Sequence, residues 1–221
     1  MFQNQTTIAS ESALSTNKVL RQTYMLLSVT LIFSGLMAAV SMAVNPSHMV
    51  SLVCSFGAIG LIWFVLPRTA NSGAGIAIVF AITGLLGFGL GPMLNHYLAL
   101  SNGGQLIMTA LGGTGVIFMG LSGYALTTRR DFSFLGGFLV VGFLVVLGAA
   151  LLNIFFAIPA LSLTISAAII FIMSGFILYD TSRIIHGGER NYIMATIGLY
   201  LSIYNIFVSL LQILGAFSNN D

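Results

Sequence analysis

Asp180 is a carboxylate set within an apolar stretch, in the run Phe176-Ile177-Leu178-Tyr179-Asp180-Thr181-Ser182-Arg183-Ile184-Ile185. The two isoleucines beyond it predict a helix that continues past the acid, which places Asp180 about one turn inside. Burial and a neighbouring arginine, Arg68 or Arg183, would pull its protonation in opposite directions, the condition for a titrating gate. A plainer reading stays open beside that one: an interfacial carboxylate paired with a loop arginine. The second candidate is a helix face. Ala195, Gly198, Ser202, Asn205, Ser209 and Gln212 recur at spacings of 3, 4, 3, 4 and 3, which puts them on one side of an α-helix. Turned to lipid, each unsatisfied amide or hydroxyl would cost about 2 kcal/mol or more, so the face is expected to point into a bundle. There it either makes hydrogen bonds between helices or lines a path for water or ions.

Other chemistry finds no residues to perform it. His48, His96 and His186 fall in separate segments with no carboxylate or thiolate at ligand spacing, and Cys54 is the single cysteine, so no metal site or disulfide is expected. An intramembrane hydrolase would need a buried nucleophile with its base, or two intramembrane aspartates, and only Asp180 qualifies. The chain is therefore read as non-enzymatic and without a cofactor. Seven basic residues scattered among 221 cannot form a phosphate-binding stripe, which excludes nucleic acid as a partner. Arg129, Arg130 and Asp131 make a short charged turn whose simplest role is topological.

The elements that carry these residues follow from composition. Hydrophobic residues make up 57% of the chain and charged ones 5%, with a mean hydropathy of +1.03, against about 25% charged in an average soluble domain. Lipid is then the natural solvent, and an all-α membrane protein the fold class. A span needs about 20 apolar residues. Seven stretches reach that length, near 24–44, 48–66, 74–98, 105–126, 134–156, 160–179 and 192–217. The last is expected to be half-buried or broken, because of its polar face. Residues 1–23 read as a polar, disordered tail, 24–217 as the transmembrane domain and 218–221 as a short second tail. No apolar segment with a cleavage site begins near Met1, so the first span is expected to serve as an uncleaved anchor.

Basic residues set the expected orientation. Lys18 and Arg21 precede the first span, Arg68 follows the second, Arg129 and Arg130 the fourth, and Arg183 and Arg190 the sixth, while the alternate loops hold none. Such residues stay on the cytoplasmic side, so the amino terminus is expected inside and the carboxyl terminus outside. The 25 glycines suggest close helix contact through small-residue faces. Thr83, Gly87 and Gly91 form one such face, continued by Asn95. Gly112, Gly113, Thr114 and Gly115 are read as packing rather than as a phosphate loop, since no lysine follows.

Two stretches carry a resemblance. Gly123-Tyr124-Ala125-Leu126-Thr127-Thr128-Arg129-Arg130-Asp131-Phe132-Ser133 is one. The other is Leu178-Tyr179-Asp180-Thr181 followed by Leu199-Tyr200-Leu201-Ser202-Ile203-Tyr204-Asn205-Ile206-Phe207. With His186-Gly187-Gly188-Glu189 and the ending Val208-Ser209-Leu210-Leu211-Gln212-Ile213-Leu214-Gly215, the chain resembles the transmembrane Bax inhibitor motif family, most nearly its proteobacterial branch of FtsH protease modulators. The resemblance implies a seven-transmembrane-helix bundle with helix 7 central, in the bacterial inner membrane. It also implies a protein that binds the membrane AAA protease FtsH and restrains it, with residues 1–22 as a handle for the same protease. Other members of the family act as pH-sensitive calcium leaks gated by two aspartates and an arginine. Asp180 and Arg68 match the first aspartate and the arginine, whereas Ser202 stands at the second aspartate. One carboxylate and one hydroxyl do not reproduce the coupled titration of two carboxylates.

Overall fold

The computed structural model describes the backbone of residues 2–218 and the side chains of residues 16–218. Among these the chain is all α-helical, with seven helices long and apolar enough to cross a membrane. They are α1 (Phe2–Val44, its spanning part Thr16–Val44), α2 (His48–Thr69), α3 (Ala74–Leu98), α4 (Gly103–Thr128), α5 (Leu135–Phe156), α6 (Pro159–Ile185) and α7 (Tyr192–Ser218). Much of the tail expected over residues 1–23, and all but the first residue of the one over 218–221, lie outside the described side chains. Over their spanning windows α3 and α7 are 50% buried and the other helices 6 to 28%. α7 is unbroken, so its polar residues coexist with a continuous backbone ladder. The face that α5 turns outward carries Phe138, Val141, Val145 and Phe155, an apolar surface suited to a lipid surrounding.

Two α-helices depart from regular geometry at prolines. In α2 a π-helical segment, Leu61–Val65, precedes Pro67. Pro67 has no N–H for the carbonyl four residues back and its ring crowds that carbonyl; the wider π turn makes room for both. In α3 the α-helix Ala74–Gly89 stops at Leu90 and resumes as Gly91–Leu98, with Pro92 in the new first turn. The Leu90 N–H bonds the Gly87 carbonyl at 3.1 Å, a tighter turn that absorbs the break. α6 runs six residues beyond the end expected at 179, carrying Asp180 within the helix. Thr181, Ser182 and Ile184 are all fully buried and hold this last turn in place.

The chain divides into two compact units. The first comprises residues up to Ser101 with Glu189–Tyr200: α1, α2, α3 and the start of α7. Its seam is small residues against small residues. Thr23, Leu27, Thr30, Ser34, Ala38 and Ser41 are buried along one face of α1, at spacings of three and four. On α3, Gly84, Gly87 and Gly91 are the facing positions. A Cβ added at Gly84 would lie 2.8 Å from the Phe33 ring, and at Gly87 or Gly91 it would run into the backbone of Ser34 or Ser41. Beyond them, the Asn95 Nδ2 donates to the Met42 carbonyl at 3.1 Å and to Asn45 Oδ1 at 3.0 Å.

The second unit comprises Asn102–Gly188 and the chain from Leu201 onward. Here α5 and α6 interlock. Gly136 takes the Tyr179 ring, Gly175 takes Leu139, and Gly142 lies against Ile172. Met173, Ile177 and Ile206 form the core, packed around by Ile117, Leu121, Phe143 and Leu210. The expected packing of Gly112, Gly113 and Gly115 is corrected in part. A Cβ at Gly113 would meet Leu210 at 3.3 Å, but Gly112 faces open space and Gly115 touches only Met119 of its own helix. Consecutive residues on a helix are about 100° apart, so one face cannot hold them all.

Candidate functional site

Asp180 sits in α6 of the second unit, partly buried, five residues before the helix ends at Ile185. The turn between α4 and α5 docks beside it on Ser182. The Phe132 N–H donates to Ser182 Oγ at 2.9 Å, and that hydroxyl lies 3.3 Å from the Arg130 carbonyl, which it can reach as donor. Arg129 takes a left-handed backbone, φ 50°, to close α4. Asp131 is occupied locally, accepting hydrogen bonds from the Ser133 hydroxyl and from its N–H. Those two bonds, with a smaller contribution from His186, hold the Asp131 carboxyl below its usual range. His186 Nδ1 lies 2.9 Å from the Ser182 carbonyl, to which it donates.

Arg183 is used structurally at this end. Its Nη2 donates to the Gly188 carbonyl at 3.2 Å, and its guanidinium carbon lies 5.5 Å from the centre of the Tyr179 ring. The cation near the ring sits in the last turn of α6, where a positive charge is favoured, and the bond to Gly188 ties the loop beyond the helix back to it. Arg68 belongs to the first unit, exposed on the short helix that follows the π turn of α2. Asp180, Arg183, Ser202, Asn205, Ser209 and Gln212 belong to the second.

On α7, Ser202 and Ser209 are 2% exposed, and Asn205 is partly buried. The Asn205 Nδ2 donates to the Leu201 carbonyl of its own helix at 2.8 Å rather than across to a neighbour. Gln212, expected to point inward with the rest, is exposed, while its Oε1 accepts from Ser166 of α6 at 2.8 Å. At six residues from the end of α7 the face has begun to leave the packed interior. Neither Asp180 nor Ser202 is without a partner. Among the described residues, no three of His, Cys, Asp and Glu come together as ligands for a metal ion.

The first unit holds a polar network that sequence reasoning did not single out. The Tyr200 hydroxyl is 2.7 Å from Ser34 Oγ and 3.3 Å from the Thr83 carbonyl, with Tyr200 1% exposed. A carbonyl only accepts, so Tyr200 donates to Thr83 and Ser34 donates to Tyr200, threading α1, α7 and α3 on one chain of protons. Asn191 does the same at the start of α7. Its Oδ1 caps the helix by accepting from the N–H groups of Ile193 at 2.9 Å and Met194 at 3.2 Å. Its Nδ2 donates to the Ala70 carbonyl at 3.0 Å and Asn71 Oδ1 at 2.8 Å. An Asn directly before an apolar helical run is the usual sign of such a cap. The α1 stripe was equally open to reading as hydroxyls and small residues at helical spacing.

Three relatives are similar to this chain along nearly its whole length. The modulator of FtsH protease YccA of Escherichia coli K12 is 53% identical, with 95% of this chain and 94% of that protein covered. The inner membrane protein YccA of Escherichia coli O6:H1 is likewise 53% identical over the same shares. A membrane protein of Vibrio cholerae is 50% identical over 97% and 96%. Residues 16–219 match the family described as Inhibitor of apoptosis-promoting Bax1. With seven spanning helices and a match over all of them, this chain belongs to the Bax inhibitor family of membrane proteins.

Proposed function

We propose that this chain is a non-enzymatic, multi-pass protein of the bacterial inner membrane that binds an FtsH-type AAA protease and restrains its action on other membrane proteins. The observation that carries the reading is the 53% identity, end to end, with a relative named a modulator of that protease. The basic residues support a cytoplasmic amino terminus, on the side where an AAA protease works. The test is co-purification at native expression, together with the half-life of a membrane substrate of the protease. Association with longer substrate lifetimes is expected. Absence of association, with unchanged lifetimes on deletion of the gene, refutes the reading.

The position of Asp180 favours a second reading, a pH-sensitive calcium leak of the kind the family resemblance implies. The acid lies within α6, and the fully packed Ser202 lies on α7 of the same unit. A lone carboxylate titrates once, so such a leak would follow a single-proton curve rather than the coupled curve of two acids. Calcium flux into liposomes between about pH 5 and 8 tests it, with Asp180→Asn expected to abolish the flux and Ser202→Asp to restore coupled titration. No flux at any pH leaves the regulator as the sole activity.

A further inference from the structure

At the end of the second unit away from the arginine-bearing turn, α5, α6 and α7 line an open cleft of about 570 Å³. It is lined by apolar groups such as Ala150, Ile154, Leu163 and Ala216, and by Asn153, Ser162, Ser166 and Gln212. No charged side chain is among the lining residues, so a free ion finds no counter-charge there. The polar groups have largely satisfied one another. Asn153 Nδ2 donates to Ser162 Oγ at 2.7 Å, and Asn153 Oδ1 accepts the Ile158 N–H at 3.0 Å. Ser166, 2% exposed, has one hydroxyl proton, shared between the Ser162 carbonyl at 3.0 Å and Gln212 Oε1 at 2.8 Å. Whichever way its amide is turned against Ser166, Gln212 keeps at least one N–H donor with no acceptor among the described residues, on an exposed side chain lining the cleft.

Depth identifies what could meet that donor. α7 has 27 residues, roughly 40 Å of helix around roughly 30 Å of hydrocarbon, so about 5 Å projects at each end. Gln212 is six residues, about 9 Å, from Ser218, which places it about 4 Å inside the hydrocarbon edge. The Gln212 side chain, directed outward, spans that short distance to the edge, where the ester carbonyls of a phospholipid lie as acceptors without donors, with acyl chains below that match the apolar lining. Water is scarce at this depth, and an unpaired amide there is costly.

We propose that this cleft is a lipid site, in which a single phospholipid seats its glycerol-ester region and the Gln212 amide donates to an acyl ester carbonyl. The headgroup sits above the cleft and is not read by it.

The test compares diacyl phosphatidylglycerol with its dialkyl-ether analogue, identical except for the missing carbonyls. The purified full chain is titrated with each lipid in detergent, and retained lipid is counted by native mass spectrometry. The diacyl lipid is expected to bind about fivefold more tightly, the effect of one hydrogen bond. Gln212→Met should bring it down to the ether level, and Ala216→Phe, which fills the cleft without touching the amide, should weaken both lipids. Ser34→Ala, in the other unit, should leave the preference as it is. Equal retention of the two lipids by the unaltered protein overturns the proposal, as does an unchanged preference in a folded Gln212→Met or unweakened binding in a folded Ala216→Phe.

Discussion

Replacing Gly87 by alanine tests whether the α1–α3 seam is closed by backbone contact. The added Cβ would collide with the Ser34 carbonyl oxygen, and would lie 2.7 Å from Ser34 Oγ and 2.9 Å from the Ser34 carbonyl carbon. Non-bonded carbons rest at about 3.5 Å or more, so α1 must retreat by at least roughly 0.6 Å. Forcing a methyl into a packed seam costs about 1–3 kcal/mol. The same retreat stretches the 2.7 Å bond between Ser34 and Tyr200, an interhelical bond worth about 0.6–1.5 kcal/mol. The sum is about 2–4 kcal/mol. The comparison is Gly112→Ala, where the new Cβ meets nothing within 4 Å and gains up to about 1 kcal/mol of helix propensity. A gap of about 2–5 kcal/mol between the two variants is expected, read from unfolding by SDS in mixed micelles followed by circular dichroism. Because the wall is backbone, adding Ser34→Gly to Gly87→Ala should not restore stability. Variants within about 1 kcal/mol of each other, or rescue by the double substitution, would refute the reasoning.

Tyr200→Phe removes the proton that Thr83 accepts and the oxygen that receives Ser34, and the same unfolding assay should show a loss of about 1–2 kcal/mol. Asn191→Ala takes away the cap of α7 and its two bonds to the end of α2; a loss of about 1–2 kcal/mol is expected, with faster amide exchange at Ile193 and Met194. Asp131 contributes through a lowered pKa, and its sign follows. A carboxyl that is more acidic when folded adds stability that is complete above its unfolded pKa and disappears as pH falls through the folded one. The difference in melting temperature between the natural protein and Asp131→Ala should therefore be constant near neutrality and shrink in strong acid; a difference that grows on acidification contradicts the assignment.

Seven helices were legible because span length is set by the bilayer, and hydropathy reports that length directly. Their irregularities were legible only in part. Pro67 and Pro92 announce missing donors, but whether the chain widens into a π turn, as before Pro67, or breaks and restarts, as at Leu90, depends on neighbours that a local reading does not contain. Glycine was ambiguous for the same reason. The Thr83, Gly87, Gly91 face has the spacing of a single stripe and packs as one, whereas Gly112 to Gly115 wrap around the helix and so cannot. At the candidate site, Asp180 within a continuing helix was readable from Ile184 and Ile185. The docking of the charged turn on Ser182 was not, because it joins residues 50 positions apart through a backbone N–H.

The polar residues of α7 bear on how much function its polarity implies. In the first unit, Thr196 bonds the Tyr192 carbonyl at 2.6 Å and reaches Thr23, while Tyr200 joins two neighbouring helices. In the second, Asn205 spends its donor on its own helix and Gln212 meets Ser166. A helix half buried along its length must satisfy each such group by one of these routes whether or not anything passes beside it. Polarity alone is therefore weak support for a conducting path, and the burden falls on Asp180, the one carboxylate within the described spans. A lining that existed to conduct would lose flux when Ser209 or Asn205 is made apolar. A lining that exists to pack would lose stability instead, with any flux still governed by Asp180. Measuring both quantities on Asn205→Leu separates the two, because a bond back to Leu201 can be deleted without removing a partner from any other helix.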